Sequence, residues 1–208
     1  MATAYLSTAY LAPIQYFCKL ISYESVWMET NEHYPKQTYR NRCMIATTGG
    51  VQLISIPIEN SKTAKCLTKD IRISDHGNWQ HIHWNALVSA YGMSPFFEYY
   101  EEDFVRFYRQ KYHFLFDFNE QLKEIICELL DICPKINYTT EYLHDVSDDF
   151  RTVIRPRQPV EDYSFNPKPY YQVFREKHGF LSNLSIVDLL FNMGPEAAIV
   201  LKESINSL

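Results

Sequence analysis

Glycine is scarce in this sequence, with 6 residues in 208, and no glycine-rich phosphate loop is present. Neither G-x-G-x-x-G nor G-x-x-x-x-G-K-[ST] occurs. That excludes the two loop designs that cradle a dinucleotide or a triphosphate on backbone N–H groups. No G-x-S-x-G elbow occurs, so the α/β-hydrolase nucleophile turn is excluded as well. The five cysteines (Cys18, Cys43, Cys66, Cys127 and Cys133) are odd in number, irregularly spaced and without a C-x-x-C pair. A disulfide framework or a zinc knuckle is therefore not expected. Cys18, Cys43 and Cys127 lie in apolar stretches and read as small core residues, in keeping with a reducing compartment. No apolar run approaches the roughly 20 residues that span a bilayer. Residues 1–19 lack the basic start and small-residue cleavage site of a signal peptide, so a cytoplasmic protein is expected. The net charge is −5 and no long basic run exists, which removes the electrostatic footprint of a nucleic-acid binder. There is no internal repeat.

What is present is an ordinary globular balance, 46% apolar and 22% charged, with an unusual load of rings: 16 Tyr, 13 Phe and 3 Trp. Rings give much buried area per residue, and each Tyr hydroxyl requires a partner. A chain of this length fits one domain over 1–208. Ala4 to Thr8 is β-prone. From Pro13 the apolar residues Ile14, Phe17, Cys18 and Ile21 recur with helical spacing, Pro13 suiting a first helical position. Ser25 to Glu29 reads as a second strand. Strand, helix and strand within thirty residues make a β–α–β unit with parallel strands.

Further on, Cys43–Ala46 and Val51–Ile56 flank Gly49-Gly50 as a hairpin. Asp70 to Ser74 is a short strand candidate, after a polar loop from Glu59 to Lys69. Three helices follow. One runs from Asn78 to Gly92, one is capped by Ser94-Pro95, and one begins near Asp117 with Glu120 as a capping box and closes before Pro134. Residues 135–170, interrupted by Pro156, Pro159, Pro167 and Pro169, read as an extended loop. A helix capped by Ser185, with Asp188 at its third position, and a last helix from Glu196 complete the chain. The expected fold class is α/β: an N-terminal βαβ unit in a small mixed sheet, followed by a helix-rich second half. An α+β fold with an antiparallel sheet is the alternative.

Three places could carry chemistry. The turn from Ser7 to Gln15 joins the first strand to the first helix. Ligands of open α/β sheets bind beyond the carboxyl ends of the strands, and a helix N-terminus there favours an anion. Ser7, Thr8 and Gln15 would add polar contacts; the other reading is an ordinary turn. The run Lys36-Gln37-Thr38-Tyr39-Arg40-Asn41-Arg42 gathers three cations, and Arg matches a carboxylate or phosphate bidentately. Its other reading is a solvated edge strand. Among His76, His81 and His83, H-x-H on a helix turns the side chains about 200° apart, so no shared metal is expected. His83 shares the apolar face of Trp79 and Leu87. It is either a core histidine or an acid/base group.

Several segments resemble the WbqC-like proteins: Tyr10-Leu11-Ala12-Pro13-Ile14-Gln15-Tyr16-Phe17-Cys18-Lys19, Tyr39-Arg40-Asn41-Arg42, Ile56-Pro57-Ile58, Ile71 through Trp79, His83 and Tyr91 to Phe97, and Gly179 to Gly194. The family is bacterial and associated with O-antigen and other surface-polysaccharide biosynthesis. The resemblance implies a transferase, acting on an acyl, aminoacyl or sugar donor; separately, no cofactor and no metal are expected. Many members follow the first strand with His-Gln-Pro; this chain has Ser7-Thr8-Ala9. It also has Gln15 where Gly is common. The residues the resemblance leaves as candidates are Lys19, Arg40, Asn41, Arg42 and His83, with His83 as general base and the arginines and helix N-terminus as anion holders. The expected partner is a small-molecule donor or a sugar, without nucleic acid or a membrane span. The rival expectation is a non-catalytic binding member, or an interaction protein anchored by exposed Tyr99, Tyr100 and Tyr108.

Overall fold

The computed structural model describes residues 2–59, 66–157 and 160–206. The middle of the polar loop expected after Glu59, and Pro159, lie outside the described residues. Strand β1 (Thr3–Ser7), helix α1 (Ile14–Ser22) and strand β2 (Ser25–Glu29) form the expected unit. The strands pair in parallel from Thr3 opposite Ser25 to Ser7 opposite Glu29. Pro13 stands one place ahead of its expected position, as the extended residue before the helix. The N–H groups that a helix start leaves open are taken from the far end of the chain: Ile14 N–H donates to the Leu184 carbonyl at 3.0 Å and Gln15 N–H to Asn183 Oδ1 at 2.9 Å.

The hairpin forms as β3 (Arg42–Thr47) and β4 (Gly50–Ser55). It makes its own two-stranded antiparallel sheet instead of extending the parallel one, so the small mixed sheet is two sheets. The third parallel strand is β5 (Ile136–Tyr138), beside β2 in the order β1-β2-β5. This corrects the reading of residues 135–170 as loop throughout. Three paired residues are too few to display a period of two, so pattern could not reveal them. The Asp70–Ser74 strand does not form. A 3-10 turn at Thr68–Asp70 is followed by single bridges from Arg72 to Phe114 and from Ile73 to Ile58.

Helices α2 (Trp79–Tyr91), α3 (Phe97–Arg109) and α4 (Leu115–Leu129) follow. The caps differ from expectation. Ser94 stays in the turn before α3, and α4 starts two residues ahead of Asp117 with no side-chain cap. Short α5 (Arg175–His178), α6 (Ile186–Met193) and α7 (Ala197–Glu203) close the fold. Ser185 does cap α6, accepting from Val187 N–H. Asp188 turns away from the cap and accepts from Tyr170 and Gln172 instead. Among the described residues no helix is long and apolar enough to cross a membrane.

The rings interlock the helices. Phe191 of α6 is fully buried and meets Tyr91 of α2 and Phe97 and Phe104 of α3, with centroids 5.1–5.5 Å apart. Immediately after α6, Gly194 has φ +55°, and a Cβ built there would lie 2.5 Å from the Phe96 ring. Of the tyrosines expected at the surface, Tyr99 is exposed, Tyr100 half-buried and Tyr108 buried. Tyr108 turns inward because its hydroxyl finds that of Tyr10 at 2.8 Å. Gly194→Ala is expected to cost about 1–3 kcal/mol in urea denaturation, from a strained backbone and a displaced ring. A loss below a few tenths would mean that this joint is loosely packed.

Candidate functional site

At the carboxyl ends of the parallel strands, where the backbone leaves the sheet, two carboxylates are buried. Glu29, the last residue of β2, is fully buried. Its Oε1 accepts from Asn31 N–H and the Thr139 hydroxyl, both at 2.8 Å. Its Oε2 accepts from Leu143 N–H at 3.3 Å and from Arg151 Nη1 at 3.0 Å. Glu32 grips Arg40, accepting from Nε at 2.6 Å and from Nη2 at 2.5 Å. Nη2 also donates to Ser7 Oγ at 2.5 Å. Arg151 is forked on the other side by Asp149, at 2.8 and 2.6 Å. Hydrogen bonds to Asp149, more than opposing burial, hold the Arg151 charge firmly in place. Burial pushes the Asp149 carboxyl up, but the bonds from Arg151 outweigh it and leave it below its ordinary value.

The segment carrying these partners wraps the sheet. After β5 it crosses the strand ends, where Leu143 meets Glu29, and then bridges the outer edge of β1 at Tyr5 through Asp149. Phe150 N–H donates to Tyr5 O at 2.9 Å. The result is a cleft of about 580 Å³ walled by Arg40, Arg151 and Arg155, with His33, His144 and Tyr142 at its side. Its volume is that of a small-molecule site. Nη1 of Arg40 has no partner among the described residues, and the side chain lines the cleft. Arginines clamped from behind by carboxylates keep a fixed orientation, so little freedom is lost when a ligand meets them.

The candidate residues divide into four groups. Ser7 and Arg40 come together through the Nη2–Oγ bond, and of the two only Arg40 lines the cleft. Thr8 lies next to Ser7, but its hydroxyl donates to Glu120 of α4 at 3.1 Å; Glu120 also holds Lys123 and, at 2.8 Å, the Tyr138 hydroxyl. Gln15 lines a second cavity of about 550 Å³, which shares Arg155 with the cleft, and Lys19 is buried behind its Asp162. Gln15 Nε2 donates to Asp162 at 2.7 Å, and buried Lys19 donates to Asp162 at 2.9 Å and to Ser164 Oγ at 2.5 Å. Burial pushes the Asp162 carboxyl up, yet the bonds from Gln15, Lys19 and Ser164 prevail and hold it below its ordinary value.

The remaining candidates do not reach either cavity. Lys36 is exposed and lines neither. Asn41 donates to the Ile56 carbonyl at 2.8 Å, and Arg42 opens β3 with a buried Nε that has no partner among the described residues. His83 sits among rings: it is stacked on Tyr10, edge-on to Trp79, and bonded through Nδ1 to the Tyr10 hydroxyl at 2.9 Å. Burial pushes its pKa down to about 4, which makes it a weak proton acceptor at neutral pH. The helix-one N-terminus is occupied by the Leu184 and Asn183 oxygens.

Sequence reasoning missed Glu29, Glu32, Arg151, Asp149 and the two cleft histidines. The available signal was the acidic run at the end of β2, Glu29-Thr-Asn-Glu32, which stands where an open sheet binds ligands.

A small parallel sheet, a separate hairpin and a helix-rich second half make a mixed helix–strand protein of the α/β or α+β class, with a cleft beyond the ends of its parallel strands. The chain belongs to the WbqC-like protein family, which it matches over residues 8–163. That span covers the cleft and most of the second cavity and ends before the 179–194 segment. The chain is also 26% identical over 189 residues, covering 79% of its own length and 81% of the relative, to the uncharacterized protein Rv1507c of Mycobacterium tuberculosis (strain ATCC 25618 / H37Rv). No solved structure matches.

Arg151→Met leaves the buried Glu29 carboxylate without its cation and is expected to cost about 3–5 kcal/mol in denaturant unfolding. Adding Glu29→Gln should recover part of it; a single-variant loss under 1 kcal/mol would show that water reaches Glu29. For His83, a proton NMR titration should place the imidazole midpoint near 4 rather than 6.5. The folded value lies below the unfolded one, so the neutral ring's contribution to stability is complete above about 6.5 and lost as pH falls toward 4. His83→Gln should lack that part of the pH slope.

Proposed function

We propose that the arginine cleft binds the anionic donor of a transferase working in bacterial surface-glycan assembly, with acyl or aminoacyl transfer to a sugar as the reaction class. The observation that carries this reading is the pair Arg40 and Arg151. Each is clamped by a buried carboxylate at the carboxyl ends of the parallel strands, and both line one cleft together with Arg155. Glu32, Glu29 and Asp149 fix the Arg40 and Arg151 guanidinium groups from behind, and Arg155 adds a third guanidinium to the cleft wall. Guanidinium recognises phosphate and carboxylate oxygens bidentately. In such a transfer the leaving group takes on negative charge while the acceptor loses a proton. Fixed cations would stabilise the first, and His33 and His144, which line the same cleft, are the imidazoles we assign to take the second. Family membership supports the setting in glycan assembly.

A non-catalytic binder of the same anion is the second reading. It is favoured by Ser7-Thr8-Ala9 at the turn, where both hydroxyls are engaged within the protein.

A thermal-shift series with nucleotide-sugars, acyl donors and aminoacyl compounds tests the proposal. A ligand at a hundred times its Kd contributes about 2.7 kcal/mol, roughly 5–10 °C for a chain of this size. One donor class is expected to give such a shift, and Arg155→Ala should abolish it. If no donor shifts the protein, or the shift is indifferent to Arg155, the cleft is not a donor site. Turnover of the bound donor separates the transferase from the binder.

A further inference from the structure

The second cavity differs from the cleft in chemistry although it adjoins it. Arg155 lines both, and the consecutive residues Tyr39 and Arg40 line one each. The cleft is walled by guanidinium. The second cavity instead presents four side-chain amides, Gln15, Asn166, Asn183 and Asn206, together with the carboxylates Glu161 and Asp162. With Asp162 already paired to Lys19, Glu161 balances Arg155, so the lining carries no excess of cation to draw a phosphate or carboxylate ligand. Amides and carboxylates in alternation offer donors and acceptors within hydrogen-bond reach of a hydroxyl.

The floor is already ordered. Gln15 is buried, its Oε1 accepting from Asn183 Nδ2 at 3.2 Å while its Nε2 donates to Asp162. Each of these amide nitrogens carries two N–H groups, and each has one bond among the described residues, so each keeps a second donor. Asp162 is in turn held by buried Lys19 and Ser164. The rim is pinned too: Asn206 Nδ2 donates to the Tyr163 carbonyl at 2.9 Å, and Tyr163 OH to Glu161 at 2.8 Å. The Tyr163 ring itself is 78% exposed beside the cavity. An exposed ring next to fixed amides suits a ligand with one apolar face and an equator of hydroxyls.

We propose that this cavity is a subsite for a neutral, hydroxyl-rich ring ligand, a pyranose, held by the Gln15, Asn166 and Asn183 amides and covered on one face by Tyr163. Its role as the acceptor site, separated from the donor by Arg155, rests on the reading of the cleft given above; its binding of a pyranose does not.

Saturation-transfer NMR on the full chain tests it, using the methyl glycosides of glucose, mannose and N-acetylglucosamine, with inorganic diphosphate followed by ³¹P line width as the probe of the cleft. At least one glycoside is expected to receive saturation on its ring protons, and to keep it when diphosphate is added. Tyr163→Ala and Asn166→Ala, both at exposed positions, should each weaken it about tenfold, the loss of one ring or hydrogen-bond contact. Saturation of no glycoside, while diphosphate still broadens, overturns the pyranose subsite and leaves the donor cleft standing. Glycoside binding unchanged in both variants also overturns it. Glycoside binding that fails in the variants, with no diphosphate broadening at all, supports the subsite and ends the donor reading of the cleft.

Discussion

The ion pair between Glu29 and Arg151 organises the functional end of this protein. A carboxylate at the last residue of a central parallel strand, fully buried, is costly unless cations and N–H groups surround it. Glu29 collects four donors, from Asn31, Thr139, Leu143 and Arg151. Three of them belong to the segment after β5. One carboxylate thus binds more than a hundred residues of separation into a single corner, and the wrapping segment takes its path from it. The pair Glu32 and Arg40 repeats the arrangement nearby, tying the loop before β3 to the end of β1 through Ser7.

The two pairs also explain why cations can line a cleft in an acidic chain. Each guanidinium is neutralised from the protein side and directed by two hydrogen bonds from its fork. Bare arginines in the same place would repel one another and sample many rotamers. At the second cavity, Asp162 acts in the same manner on Lys19. There the cation is sealed behind the carboxylate, and the face left to the cavity is polar but not cationic.

The helical half serves as the counterweight. Phe191, Tyr91, Phe97 and Phe104 interlock α2, α3 and α6, and the segment leading into α6 reaches across to cap α1 at Ile14 and Gln15. Ser185 Oγ donates to the Leu11 carbonyl at 2.7 Å in the same joint. The Ser7–Gln15 turn is therefore supported by the last quarter of the chain. His83 belongs to this packing, bonded to Tyr10 within the ring cluster.

The sequence by itself determined what local pattern can carry. It determined the βαβ unit, the hairpin around Gly49 and Gly50, helices α1 to α4 within a few residues, the Ser185 cap and the inward cysteines 18, 43 and 127. It also placed Ser7, Gln15, Lys19 and Arg40 among the polar groups near the strand ends. Each of these rests on spacing or on one residue's conformational preference, which act over a few positions. Only the tertiary structure decided that β5 joins the parallel sheet, that Tyr108 and His83 turn inward, and that Arg151 rather than Arg42 stands beside Arg40. It also decided that Gln15 lines a different cavity from Arg40, with Lys19 sealed behind Asp162. The first depends on backbone pairing with β2, the inward turns on the Tyr10 hydroxyl, and the last two on which buried carboxylate meets which cation across more than a hundred residues. A charged side chain looks the same in a sequence whether it meets water or a partner, and the cost of burying it appears only when the chain has closed around it.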